Sequence, residues 1–402
     1  MSRILIISSG SPCRNPRPLK EAETLGRAGH DVTLLTVSES PALDAMEDAL
    51  TAGASFRHES VDRNSAGFRK FIRRAQVRLA SQATAAGWPT LHALGPVNAL
   101  RRRALALPAD LTIVHNEIPF WIGGDLLKLG RRVAADFEDW HSEDLLPAAR
   151  RTRPLAPLRQ LERQLLLNAV YTSTTSAALS AALAARYRAT PPRVLTNSFS
   201  LQPNPRSGPP CSPPAFFWFS QTLGPGRGLE SFCAAWVRTK NPSRLVLLGQ
   251  PTMAFDRQLL AALPAEFAAR VTILPLVPPL ELPTLIAQHD IGLALELAEI
   301  PNRDLTITNK ILQYLNAGLA VVATPTAGQR EVLAQAPGAG KFIDLNNPAA
   351  TATMLDNLIG DRALLARAQA CARAAAANHY CWEREAPRLV ELVTHALQLS
   401  VA

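Results

Sequence analysis

The stretch Thr306-Ile-Thr-Asn-Lys-Ile-Leu-Gln-Tyr-Leu-Asn-Ala-Gly-Leu-Ala-Val-Val-Ala-Thr324 leaves little choice of fold. It reads as a helix of about three turns that ends at Gly318 and runs straight into an apolar strand, Leu319 to Ala323. A strand with no polar face needs cover on both sides, which points to a parallel sheet flanked by helices. Thr306 or Thr308 is expected to cap the helix, and Gly318 suits the left-handed position after its end. Ile307, Ile311, Tyr314 and Leu315 share one face at spacings of three and four, and Lys310 and Gln313 lie on another. Lys310 falls in or near the first turn, where the helix dipole disfavours a cation. An anion bound there would relieve that conflict; a solvated lysine is the other reading.

The same alternation recurs along the chain. Arg3 to Ser9 reads as a strand, Leu19 to Gly29 as a helix and Val32 to Val37 as a second strand. Further strands are expected at Leu111–Val114, Arg132–Ala135, Ala169–Ser173 and Arg193–Leu195, then at Phe216–Ser220, Arg244–Gly249, Val271–Leu274 and Ile291–Leu295. Strands alternating with helices predict a doubly wound α/β sheet in each half. Between the halves, six prolines fall within Pro203–Pro214. Such a run continues neither helix nor sheet and reads as a semi-rigid linker. The dinucleotide fingerprint Gly-x-Gly-x-x-Gly is missing after the first strand, which argues against bound NAD.

Charge is placed unevenly. Residues 1–206 hold 27 Lys and Arg against 18 Asp and Glu, whereas residues 207–402 hold 15 of each, so the net +9 belongs to the first half. Phe68 to Leu79 concentrates it: Phe68, Phe71, Ile72, Ala75 and Leu79 form an apolar stripe, and Arg69, Lys70, Arg73, Arg74 and Arg78 fill the rest. A basic amphipathic helix suits an anionic membrane face, or it is an ordinary surface helix on the sheet. Arg101-Arg102-Arg103 would add to the patch if it folds nearby. A zinc finger, an aromatic ribonucleoprotein motif and a basic zipper are all missing, so no nucleic-acid partner is expected. The five cysteines are scattered without a Cys-x-x-Cys pair, which argues against disulfides and zinc and for a reducing, cytoplasmic setting. No apolar run approaches the length of a membrane span, so at most a peripheral position at the inner membrane face is expected.

Three constellations bear chemistry. Arg14, Arg17 and Lys20 crowd the carboxyl end of the first strand, where ligands dock in such sheets; a solvated loop is the alternative. His115 ends the strand at Leu111. Asp136-Phe-Glu-Asp-Trp-His-Ser-Glu-Asp144 gathers six acidic or His residues off a strand end. It reads as a functional cluster, as the acidic N-terminus of a helix, or as part of a metal site. The last is disfavoured because no second ligand cluster accompanies it. In the second half, Gln221-Thr-Leu-Gly-Pro-Gly-Arg-Gly-Leu229 is a glycine-rich loop that opens a helix. Gly224, Gly226 and Gly228 permit close backbone approach, and Arg227 offers a fork of donors to phosphate. The Gly-Lys-Ser/Thr ending of a Walker loop is missing.

Asn309-Lys-Ile-Leu-Gln-Tyr-Leu-Asn-Ala-Gly-Leu-Ala-Val-Val-Ala-Thr-Pro-Thr-Ala-Gly-Gln-Arg-Glu-Val-Leu333 resembles the donor-site segment of GT-B glycosyltransferases, of the glycosyltransferase family 4 type. Gln313 stands where that family has a ribose-binding glutamate, Ala320 where it has proline, and Leu305 where the first of its spaced glutamates would fall. The resemblance is dense over Ser220–Glu230 and Asn309–Leu333. It implies two doubly wound Rossmann-like domains facing a cleft: residues 1–202, a linker at 203–215, residues 216–380, and a terminal helix at 381–402 crossing back to the first domain. It also implies transfer of a sugar from a nucleotide-diphosphate donor to a hydroxyl acceptor, such as a polysaccharide, glycolipid or lipid-linked glycan. That transfer would proceed with retention, without a metal and with no cofactor beyond the donor.

By the same resemblance Arg227 and Lys310 stabilise the leaving diphosphate, and Glu138, Asp139 and His141 orient sugar and acceptor. The donor site would comprise Gly224, Gly226, Arg227, Leu276, Val277, Thr308, Asn309, Lys310 and Gln313, with Leu276-Val277 at the nucleobase. Glu299, Asn302, Arg303 and Asp304 would lie near the sugar, and Arg14, Arg17 and His115 near an acceptor or phosphate. A non-catalytic GT-B homologue that binds a nucleotide sugar or a partner enzyme, and an epimerase on the same fold, remain as alternatives.

Overall fold

The computed structural model describes residues 1–63, 68–203 and 211–399. It divides into two compact units, Met1–Leu195 with Ala386–Ala402, and Thr196–Glu385. Residues 204–210 of the proline-rich run lie outside the described residues. The final helix, Trp382–Gln398, carries Pro387 inside it, and the division between the units falls between Glu385 and Ala386, just before that proline.

The first unit is built on seven strands: β1 (Arg3–Ser8), β2 (Asp31–Val37), β3 (Arg57–Val61), β4 (Leu111–His115), β5 (Val133–Phe137), β6 (Thr172–Thr174) and β7 (Arg193–Val194). Their order is β3-β2-β1-β4-β5-β6-β7 and every pairing is parallel. Ile4 to Ile7, Val133 to Ala135 and Phe137 are all buried, as expected of strands covered on both faces.

The second unit is built on β8 (Ala215–Leu223), β9 (Arg244–Pro251), β10 (Val271–Leu274), β11 (Ile291–Ala294), β12 (Ala320–Ala323) and β13 (Gly340–Phe342). The order is β10-β9-β8-β11-β12-β13, again parallel throughout. In each unit the chain order reverses once, between β1 and β4 and between β8 and β11. Ligands bind outside the carboxyl ends of the strands at such switch points.

Two edge strands, β3 and β13, escaped the sequence reading. Their residues are half-buried or exposed, so neither shows the apolar run that marks the central strands. Between β5 and β6 the chain forms two helices, Pro147–Arg150 and Leu155–Asn168, with Pro154 at the break.

Helix Asn309–Ala317 ends as expected: Gly318 takes φ +72° and its amide turns back to Leu315 and Tyr314. The helix sits so close to the sheet that a Cβ on Gly292 of β11 would lie 2.2 Å from the Tyr314 ring. Only glycine fits there, and the Tyr314 hydroxyl donates to the Leu293 carbonyl at 3.2 Å. Behind it, helix Arg362–Asn378 sends Arg373 to the Asn316 carbonyl at 2.5 Å and to the Gln202 carbonyl. The helix that carries Lys310 is therefore clamped from sheet side and rear.

Candidate functional site

In the second unit the switch point gathers charge. Arg227 lies in the loop after β8, and Glu296 lies two residues past β11. Gly228, at φ +75°, starts helix Leu229–Trp236 with no side-chain cap, and a Cβ there would come within 3.1 Å of the Leu295 carbonyl. Glu296 is 5% exposed, and its Oε1 lies 2.5 Å from the Lys310 ammonium. The same ammonium sits 5.9 Å from the centre of the Trp218 ring. Burial would raise the Glu296 carboxyl; Lys310 outweighs it, Arg227 and Arg303 add to the pull, and the group rests below its ordinary value. Lys310 thus touches the carboxylate, while the charges of Arg227 and Arg303 bear on it from beyond ion-pair distance. Arg303 also donates to the Gly226 carbonyl at 3.4 Å, which ties the glycine-rich loop to helix Pro301–Leu305.

Lys310 is therefore not a solvated lysine. The expected caps differ too. Thr308 occupies the cap position of helix Asn309–Ala317 without a side-chain cap bond, and Thr306 donates to Asn302 Oδ1 at 2.9 Å instead. No acid stands in the first turn. Thr308 Oγ1 and, one turn beyond Lys310, Gln313 Oε1 are buried without a partner among the described residues. An uncapped helix start with orphaned polar atoms and surplus positive charge suits an anion.

Other donor-side candidates are placed less centrally. Asn309 is the first residue of the helix and half-buried; Gly224 is buried beside Thr252. Leu276 is exposed and Val277 packs on the core below it, just past β10. Of the four residues expected near the sugar, Asn302 is taken by Thr306. Asp304 accepts from the Ala327 amide at 3.0 Å, at the start of helix Ala327–Gln335, and Glu299 is exposed. Arg303 alone joins the charged group. Glu296 was passed over in the sequence, although it is the first polar residue after a buried strand at the switch point, which is the signal that marks it.

The first unit carries a different cluster at the carboxyl ends of β1, β4 and β5. Arg17 grips Asp136 with two bonds, Nε to Oδ2 at 2.5 Å and Nη2 to Oδ1 at 2.7 Å, and donates to the Leu195 carbonyl at 2.7 Å. His115 Nε2 lies 3.0 Å from Glu21 Oε2, and its Nδ1 lies 3.1 Å from Asp136 Oδ2. Ser173 adds a bond to Asp136 at 2.7 Å. All five residues are at most 2% exposed. Burial alone would depress His115, but Glu21 and Asp136 push it up to about 10. Burial would raise Asp136, but Arg17 and His115 hold it far below the carboxylate range. Arg17 and His115 were expected as phosphate or acceptor contacts; the structure spends both inside this sealed network. Arg14 pairs with Glu39 at 2.5 Å at the surface. Glu21, His115 and Asp136 have the atom types of a metal triad, yet the Arg17 guanidinium already supplies the cation and both imidazole nitrogens face carboxylates.

The acidic segment Asp136–Asp144 does not act as one cluster. Asp136 points into the network, and Glu143 is shared by Arg150 at 2.9 Å and Arg159 at 2.6 Å. Glu138 is half-buried just past β5; burial first, and the neighbouring Asp139 second, push it up to about 7. His141 packs edge-on to Phe120 at 5.2 Å, with Nε2 buried and without a partner among the described residues.

Residues 214–361, the larger part of the second unit, match the family model of Glycosyl transferases group 1. A search of curated proteins returned no match. Solved structures resemble the whole chain. Sucrose-phosphate synthase from Thermosynechococcus elongatus superposes with a TM-score of 0.74 at 15% identity, covering 100% of both chains. HepE from Anabaena, in complex with UDP-glucose, gives 0.70 at 16% identity over 98% of this chain and 100% of its own. TarM from S. aureus, in complex with UDP and alpha-GlcNAc-glycerol among its ligands, gives 0.67 at 9% identity over 99% and 100%. The chain thus has the GT-B fold, and its residues 214–361 are similar to Glycosyl transferases group 1.

Proposed function

We propose that the protein transfers a sugar from a nucleotide-diphosphate donor to a hydroxyl acceptor. One observation carries this: at the switch point of the second sheet the buried carboxylate of Glu296 holds the Lys310 ammonium at 2.5 Å, and the charges of Arg227 and Arg303 also bear on it. The surplus positive charge matches a diphosphate, and stabilising charge that builds on a leaving group is a large source of rate. Thr308 and the helix start would meet phosphate oxygens. Gln313 Oε1 would accept from a ribose hydroxyl, as a glutamate does elsewhere in the family-4 pattern, and Leu276-Val277 would border the base. HepE is in complex with UDP-glucose and TarM with UDP, which supports the same ligand class here.

In the proposed step the bond from the anomeric carbon to the diphosphate oxygen breaks and the acceptor oxygen bonds to that carbon. The acceptor proton passes to the leaving diphosphate, and the anomeric configuration is retained without a metal. Glu138, Asp139 and His141 of the first unit are assigned to sugar and acceptor, the acceptor being a cell-surface polysaccharide, glycolipid or similar glycan. Thermal shift against uridine, guanosine and thymidine diphosphates tests the donor site, and nucleotide release from a nucleotide-sugar panel tests turnover. No shift with any diphosphate would overturn the reading. Leu305 and Gln313, in place of two glutamates, favour a second one, a binding homologue without catalysis; a shift with no turnover on any donor–acceptor pair would select it.

A further inference from the structure

Helix Phe68–Ala85 has one face more than its own unit needs. Ala80 and Thr84 turn inward at 8% exposure each, with Val77 and Ser81 half-buried between them. At 100° per residue, Phe71, Ile72, Ala75 and Leu79 point the opposite way. Phe71 is 68% exposed, Leu79 66% and Ile72 38%. Trp88, three residues past the helix, is 77% exposed. Arg74 and Arg78 flank the apolar face, both exposed and with no carboxylate partner among the described residues. The side chains of Phe68, Arg69, Lys70 and Arg73 lie outside the described residues.

The local charge is as lopsided as the burial. From Arg63 to Ala109 the chain has nine Lys and Arg and not one Asp or Glu. Other basic stretches of this unit are neutralised. Arg101 pairs with Asp125 at 2.8 Å and Arg103 with Glu59, so the triple arginine contributes only Arg102 to any free patch. Arg150 and Arg159 share Glu143, and Arg153 meets Glu117. Phe71, Ile72 and Leu79 beside unpaired arginines are the combination that folding does not explain.

We propose that this face lies flat on an anionic phospholipid surface. Phe71, Ile72 and Leu79 enter the boundary between headgroups and acyl chains, and Arg74 and Arg78 meet lipid phosphates. A second copy of the chain is a poorer occupant, because two-fold pairing would set these arginines against each other. Nucleic acid would use the arginines and leave the apolar centre without a role. The proposal is independent of the transferase reading.

Co-sedimentation with vesicles tests it: phosphatidylcholine alone against phosphatidylcholine with one third phosphatidylglycerol. The intact protein should partition to the anionic vesicles only, and less as salt rises. Phe71→Ser with Leu79→Ser, and Arg74→Gln with Arg78→Gln, should each lower partitioning about tenfold. Both pairs are exposed, so unchanged melting separates loss of docking from misfolding. Arg151→Gln with Arg193→Gln, exposed arginines elsewhere on the unit, should change it little; an equal loss there would reduce the effect to net charge and overturn the proposal. No binding to anionic vesicles would overturn it as well. So would a concentration-dependent dimer that Leu79→Ser abolishes, or tighter binding to random duplex DNA lost with Arg74 and Arg78.

Discussion

The two units repeat one topology and put charge at the same place in it, yet with a different balance. At the first switch point Arg17 and His115 face Glu21 and Asp136, two positive against two negative, all sealed from water. At the second, Lys310 pairs with Glu296 while the charges of Arg227 and Arg303 bear on it from farther off, and Thr308 Oγ1 and Gln313 Oε1 are left over. A neutral network sealed from water has no charge to offer a ligand. An unbalanced one holds its cations in place and still has positive charge to give. The switch point says where a site can be; the balance of charge says whether it is one.

The largest effect should come from breaking the sealed network. Arg17→Leu leaves Asp136 and Glu21 with one cation between them at zero exposure. The cost should be about 3–5 kcal/mol, the usual penalty for an uncompensated buried charge. Calorimetry should show the first unit melting earlier, with the diphosphate affinity of the folded protein unchanged. A loss of affinity as large as that from a Lys310 variant would erase the contrast between the clusters.

Lys310→Gln comes next. It should lower donor kcat/KM about 100-fold, in the range seen when one group stabilising transition-state charge is removed. It also strands Glu296, so stability falls too. The double variant Lys310→Gln with Glu296→Gln should recover the melting temperature and not the activity. Recovery of both would mean the pair is structural only.

The two clusters should also fail from opposite ends of the pH scale. His115 titrates near 10 in the fold against an ordinary 6.5, so its contribution is complete below pH 6.5 and is lost as pH rises toward 10. Glu296 lies below its ordinary 4.5, so its contribution is present above that pH and is lost as pH falls beneath it. Calorimetric scans should therefore show an alkaline limb that His115→Gln flattens and an acid limb that Glu296→Gln flattens. The alkaline swing should be at most about 5 kcal/mol. One shared limb for both variants would defeat the distinction.

Much of this was legible in the chain because parallel sheets advertise themselves. The central strands are unbroken apolar runs, and Gly318 marks a helix end that only a left-handed residue makes. The edge strands were not legible, since half-exposed backbone carries no such run. Among the site residues, Arg227 and Lys310 could be singled out by motif. The partner of Lys310 is marked only as the first polar residue after a buried strand: Glu296 is fourteen residues away, and the fold brings the two side chains to 2.5 Å. Arg17 and His115 misled for the same reason. A cation near a strand end looks available until its carboxylates, 119 and 94 residues away in sequence, are seen beside it.

The smallest effect is the sharpest probe of what the open cluster faces. Gln313 lies one turn past Lys310 with an acceptor oxygen that bonds to nothing described. If that oxygen meets a ribose hydroxyl, Gln313→Ala should weaken a nucleoside diphosphate about fivefold, near 1 kcal/mol for one neutral hydrogen bond. Inorganic pyrophosphate has no ribose and should bind both forms alike. Titration calorimetry with the two ligands separates the outcomes. Equal weakening of both would mean that Gln313 acts on the diphosphate through Lys310. No change in either would move the ribose away from this helix, leaving Lys310 and the helix start as the contribution of Asn309–Ala317 to the donor.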